Sequence, residues 1–106
     1  MKVKIKNYNY EIIEVEQNDN NLIGNDNNYH WGICDYKQRK IFIMNDLMNK
    51  DKRTVLIHEV SHAFIEAYGF LQVKLNDEIM SDFIASYSED ILKIVNDYFM
   101  EVIKCQ

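Results

Sequence analysis

The chain has 106 residues, 47% of them hydrophobic, and 17 acidic against 12 basic residues give it a formal net charge of −5. This composition predicts one globular domain spanning residues 1–106, and the acidic surplus argues against a nucleic-acid partner, which would require a basic face. The sequence has neither the ~20-residue apolar run of a membrane span nor the apolar segment of a signal peptide, so no membrane partner is expected.

The first half of the chain is predicted to form two β-hairpins. Val3 and Ile5 alternate with lysines, and a second apolar run covers residues 10–15. Residues 29–35 and 40–44 form another pair of β-like runs, joined by a short polar turn. Pairs of runs separated by short polar segments are typical of antiparallel hairpins.

The segment between the two predicted hairpins is unusually rich in asparagine and aspartate. Residues 17–28 read QNDNNLIGNDNN. These side chains favour turns because they hydrogen-bond to nearby backbone groups. We therefore expect a surface loop with no specific function.

The second half of the chain is predicted to be helical. The segment from residue 52 to 68 is apolar on nearly all sides, which is typical of a buried helix, and Asp51 is placed to cap its start and Gly69 to end it. Asn76 is predicted to cap a following region in which apolar residues recur at helical spacing as far as Val102. The sequence leaves open whether this region is one helix or two. Strands followed by helices predict an α+β domain.

Cysteine usage gives a further indication of the setting. Cys34 and Cys105 are far apart and form no CxxC motif. This pattern indicates neither a disulfide framework nor a cysteine-based zinc site. A reduced, cytoplasmic location is therefore expected.

One motif points to chemistry. Residues 58–62 read HEVSH, an HExxH motif in the middle of the predicted buried helix. His58 and His62 share one helix face, so both imidazoles can bind one metal ion. Glu59 lies one position round the helix, where it can take a proton from water without binding the ion itself. The motif predicts a Zn²⁺ site with Glu59 as catalytic base; the other interpretation is a pair of histidines on a structural helix.

A catalytic zinc also needs a third protein ligand and an open position. His30 lies upstream of the motif, and residues 78–82 downstream read EIMSD. HExxH followed by ExxSD on the next helix resembles the signature of the gluzincin metallopeptidases. The resemblance implies that Glu78 is the third zinc ligand and that Asp82 accepts a hydrogen bond from a ligand histidine. The other interpretation is that both acids only stabilise the start of a helix.

Among gluzincins, residues 32–89 resemble the ImmA/IrrE type, small cytoplasmic metallopeptidases of phages, other mobile elements and stress regulators. The resemblance implies a minimal zincin-like fold in which antiparallel β-hairpins precede the HExxH helix and one or two C-terminal helices carry the glutamate. Ser81 replaces the usual alanine, and no accessory domain is expected after the core. The implied substrate is an intracellular protein, such as a regulator or repressor of a mobile element.

These observations predict a zinc-dependent endopeptidase that cleaves a protein or peptide substrate. The alternatives are a zincin-like protein that sequesters a partner without cleaving it, and a domain in which the metal is only structural. The sequence gives no prediction of the oligomeric state.

Other residues near the predicted site are less specific. His30, Tyr68 and Tyr87 are unranked candidates to stabilise a transition-state oxyanion, since that chemistry requires a donor beyond the metal. Glu66 shares a helix face with His62 and is expected to be solvated. The strand at residues 40–44 is a candidate to pair with an extended substrate, although it also fits an ordinary core strand.

Overall fold

The computed structural model describes residues 1–104, with side chains to Val102, and forms an α+β domain of four strands followed by two helices. The α+β prediction is confirmed, and the C-terminal helical region is one helix. A short 3₁₀ turn at Asn20–Leu22 precedes the third strand. Cys34 is a free thiol, and Cys105 lies outside the described residues. The elements are β1 (Lys2–Ile5), β2 (Tyr8–Val15), β3 (Gly32–Asp35), β4 (Lys40–Met44), α1 (Asn49–Ala67) and α2 (Asp77–Lys104).

The four strands form one mixed sheet in the order β1-β2-β4-β3. β1 with β2 and β3 with β4 are the two predicted antiparallel hairpins, and a parallel pairing of β2 with β4 joins them, with Ile12 opposite Ile41. β4 is therefore central, and its residues from Ile41 to Met44 are all buried. Because β2 and β3 occupy both of its edges, the predicted pairing of residues 40–44 with a substrate is wrong, and β4 is a core strand.

The two outer strands of the sheet differ in how they present their free edges. β1 and the turn after it carry the exposed lysines Lys2, Lys4 and Lys6, and lysines on an edge strand discourage pairing with another chain. β3 carries no lysine, and its four residues are all partly buried. The β3 edge is therefore the one better suited to accept another strand.

The ends of the helices test the predicted caps. α1 ends at Ala67, and Gly69 follows with φ 81°, the left-handed conformation that favours glycine. Ile79 N–H donates to Asn76 Oδ1 at 3.0 Å, which confirms the cap of α2. The predicted cap at Asp51 is wrong, because Met48 is extended and α1 starts at Asn49. Asp51 lies instead in the first turn, where its charge favours the helix N-terminus.

The two halves of α2 differ in burial. Ile91, Val95 and Tyr98 in the second half join the core formed by α1 and the sheet. The first half, residues 77–86, is mostly exposed. Neither helix in the described part of the chain is both long enough and apolar enough to cross a membrane.

Glu66 is not solvated as its sequence position suggested. Its side chain is only 14% exposed and lies 3.4 Å from Arg39 Nε. Tyr10 Oη donates to Glu66 Oε1 at 2.5 Å, and burial, followed by this hydrogen bond, raises the pKa of Tyr10. The sheet brings Tyr10 and Arg39 to the face of α1 that carries Glu66, so the carboxylate is satisfied by protein partners.

We expect Tyr10→Phe to lower the free energy of unfolding by about 2 kcal/mol, because it removes a hydrogen bond to a charged group and leaves Glu66 less well satisfied. Urea denaturation measures this loss. Tyr29→Phe is the matched control, since Tyr29 is 54% exposed and its change should stay within about 0.5 kcal/mol. Equal stabilities of the two variants would show that the contact between Tyr10 and Glu66 contributes nothing.

Candidate metal centre

The two histidines of the HExxH motif meet at their outer ring nitrogens. His58 Nε2 and His62 Nε2 lie 3.1 Å apart, with the ring centroids 4.7 Å apart and the rings at 74°. Two nitrogens bound to one tetrahedral zinc at about 2.0–2.1 Å are roughly 3.3 Å apart. The helix spacing of four residues thus converges two nitrogen donors at a separation that fits a single ion.

Glu59 lies beside this nitrogen pair and is buried. It is only 8% exposed, and one ligand atom from each of Glu59, His58 and His62 lies within 4.8 Å of the others. Burial raises the pKa of the Glu59 carboxyl, and the nearby His58, the Cys34 backbone and His30 oppose that shift. A raised pKa moves a carboxyl group toward the pH range in which a general base both takes up and releases a proton.

His62 is held differently from His58. It is half-buried, whereas His58 is exposed. Burial, and then the charge of His58, lower the pKa of His62, so the structure favours the neutral ring that can bind a metal. Tyr36 Oη lies 3.2 Å from His62 Nδ1, and burial raises the pKa of this phenol to about 12.

These side chains open into a cavity of about 640 Å³. Its walls come from α1, from β3 with the following turn, and from the asparagine-rich loop around the 3₁₀ turn. The loop that the sequence suggested to be without specific function therefore forms one wall of the site. The lining residues outside α1 include Asn20, Asn21, Ile23, Gly24, Asn25, His30, Gly32, Ile33, Cys34, Asp35, Tyr36 and Lys37.

His30 is the one of the three oxyanion candidates that lines this cavity. Its Nε2 lies 3.0 Å from Asp26 Oδ1, which fixes the ring on the loop. Tyr68 and Tyr87 instead lie against each other, with ring centroids 4.3 Å apart, in the aromatic packing between α1 and α2. The structure therefore separates candidates that the sequence left unranked.

Glu78 and Asp82 are not brought to the histidines. Both side chains are exposed on the first turns of α2, and within residues 1–104 the group around His58 and His62 contains only Glu59. In this part of α2 it is Phe83 that packs against the core, whereas Glu78 and Asp82 face solvent. The roles of Glu78 as third ligand and of Asp82 as hydrogen-bond acceptor stay predictions.

Tyr36 is the site residue that sequence reasoning missed. It lies 26 positions before His62, in the turn between β3 and β4, and belongs to no motif. The position of this hairpin turn against α1 is set by tertiary packing, so no local sequence pattern predicts it. The only available signal is an aromatic residue in the predicted turn between the runs 29–35 and 40–44.

Gly32 allows α1 to approach β3 at the site. A Cβ at this position would lie 2.5 Å from Val55 Cγ1 and 3.1 Å from Glu59 Cγ. We expect Gly32→Ala to push α1 away from β3 and to cost about 1–3 kcal/mol of stability. Chemical denaturation measures this cost. Gly69→Ala is the comparison, because a Cβ there meets no neighbour within 4 Å and the only cost is the strained positive φ. An unchanged stability in Gly32→Ala would contradict the close packing.

Comparison of the chain with known proteins identifies no relative. No family model, no curated protein and no solved structure matches the chain. The function is therefore argued from the chemistry of the site.

Proposed function

We propose that this protein is a zinc-dependent peptide hydrolase with a minimal zincin-like fold of the gluzincin, ImmA/IrrE-like type. The observation that carries the proposal is the convergence of His58 Nε2 and His62 Nε2 to 3.1 Å beside the buried carboxyl of Glu59, in one open cavity. A zinc ion bound there would supply Lewis acidity, which polarises a peptide carbonyl and acidifies water.

The roles of the three motif residues follow from their positions. His58 and His62 hold the ion through Nε2. The Glu59 carboxylate takes a proton from the attacking water and delivers it to the amide nitrogen of the departing peptide. Its burial suits both steps, because the raised pKa keeps the protonated form accessible between them.

The substrate is proposed to bind as an extended peptide along the free edge of β3. Gly32 and Cys34 of this strand line the same cavity as Glu59, so a peptide added to the edge would pass the catalytic carboxylate. The opposite edge of the sheet, at β1, is blocked by lysines and lies far from the motif in the strand order. The resemblance supplies the further proposal that the substrate is a cytoplasmic regulator of a mobile element.

The function is tested with zinc-loaded protein and an unstructured substrate such as casein. New peptide N-termini, identified by mass spectrometry, are expected with the loaded wild type. They should be absent after chelation and in the variant carrying both His58→Ala and His62→Ala. Intact casein, and intact short peptides of varied sequence, after prolonged incubation with loaded protein would contradict hydrolysis.

One observation favours a second function, the sequestering of a partner without cleavage. Glu78 is not placed at the histidines, so a complete three-ligand catalytic site is not assembled within the described residues. A protein of this kind would bind its partner and leave it intact. The ligand role of Glu78 therefore decides between the two functions.

A further inference from the structure

We propose that Tyr36 is a positioning residue that holds His62 in the tautomer whose Nε2 is free to bind the metal. The inference rests on the proposed metal site. It assigns the orientation and tautomer of one metal ligand, His62, to a residue of the β3–β4 turn. Tyr36 Oη lies 3.2 Å from His62 Nδ1, and the two rings meet edge to face with centroids 6.5 Å apart.

The argument starts from the single proton of a neutral imidazole. A ring that binds metal through Nε2 must carry its proton on Nδ1, and that N–H needs an acceptor. The phenol oxygen of Tyr36 has lone pairs to accept it and retains its own O–H as a donor. The same geometry leaves His62 Nε2 facing His58 Nε2 at 3.1 Å, where the metal would bind.

The turn that carries Tyr36 is fixed independently of α1. Asp35 Oδ1 accepts from the backbone N–H groups of Lys37 and Gln38 at 3.0 and 3.1 Å, and Asp35 Oδ2 accepts from the Gln38 side chain at 2.9 Å. Arg39 completes the turn with φ 52°. These contacts hold the hairpin turn, so the phenol is presented to His62 before any ion binds.

The two histidines are therefore not equivalent. His62 has a protein partner at Nδ1, whereas no described residue hydrogen-bonds to Nδ1 of His58. A neutral phenol at His62 also occupies the place for which the sequence resemblance suggested the carboxylate of Asp82. If Asp82 acts on a ligand histidine, the remaining free ring nitrogen is that of His58.

Tyr36→Phe keeps the ring and removes the acceptor, so it isolates the hydrogen bond. We expect zinc affinity, measured by competition with a chromophoric chelator, to fall about 10- to 100-fold, the usual effect of removing an outer partner of a metal ligand. Tyr29→Phe, at an exposed tyrosine outside the cavity, should leave the affinity unchanged. Unchanged affinity in Tyr36→Phe would overturn the proposal.

The side-chain ¹⁵N shifts of His62 report the tautomer directly in metal-free protein. The wild type is expected to carry the proton on Nδ1, and Tyr36→Phe to move it toward Nε2, a change that a purely structural role would not produce. A wild-type His62 protonated on Nε2 overturns the proposal even if Tyr36→Phe fails to fold. Failure of the wild type to bind zinc would instead contradict the proposed function, since the metal-free tautomer is measured separately.

Discussion

Replacing Glu59 with glutamine is expected to reduce peptide hydrolysis at least about 10²-fold while the bound zinc stays at one ion per chain. The amide has the shape of the carboxyl but cannot take a proton, and the loss of a general base typically costs about 10²–10⁴ in rate. His58 and His62 keep both nitrogen donors, so zinc content measured by atomic absorption should match the wild type. Cleavage by Glu59→Gln at the wild-type rate would remove Glu59 from the mechanism.

The same substitution is expected to raise the melting temperature of the metal-free protein at pH 7. Burial raises the pKa of Glu59 above its ordinary value of 4.5, so the folded state resists ionisation. Below the ordinary pKa both folded and unfolded chains are protonated, and the carboxyl has no effect. As the pH rises from the ordinary pKa to the raised pKa of the folded state, the native state progressively loses stability. Glutamine does not ionise, so the variant does not suffer this loss.

Thermal melts at two pH values check this sign. Glu59→Gln should melt above the wild type at pH 7 and close to it near pH 4. Glu89→Gln, on the exposed side of α2, is the control and should show no comparable gain. A stability gain of the same size at both pH values would show that the effect is not one of ionisation.

The local elements of the fold could be predicted because their determinants are near in sequence. Asn76 caps α2 through a hydrogen bond to a residue three positions away, and Gly69 ends α1 through its own φ. The parallel pairing of β2 with β4 joins segments far apart in the chain, so no local pattern indicates which strand is central. For this reason both interpretations of residues 40–44, a substrate-pairing strand and a core strand, stayed open until the pairing of β4 was known.

The same division applies to the candidate site. His58 and His62 could be placed together from helix geometry alone, because four residues make about one turn. The burial of Glu66 depends on Tyr10 and Arg39 from the sheet, and the contact of Tyr36 with His62 depends on how the hairpin turn meets α1. Hydrophobic periodicity describes one helix or strand at a time, so it does not predict which side chains of a second element contact it.

The identity of the third zinc ligand is still to be tested. The resemblance implies Glu78, whereas the structure groups only Glu59 with the two histidines among the described residues. If Glu78 binds zinc, Glu78→Ala should weaken zinc affinity by more than about 100-fold, since even an outer partner of a ligand is worth about 10- to 100-fold. Asp77→Ala is the matched control. Both residues are exposed acids in the first turn of α2, so both interact similarly with the helix N-terminus.

The comparison of these two variants separates the two proposed functions. If Glu78 only stabilises the helix, both variants should lose a similar, small stability and bind zinc like the wild type. The ion would then have to complete its coordination elsewhere, and Glu59 is the carboxylate already within 4.8 Å of both histidine donors. A Glu59 that binds the ion is no longer free to move protons, so unchanged affinity in Glu78→Ala would favour the binding protein. A loss confined to Glu78→Ala would leave Glu59 free as the base and favour the hydrolase.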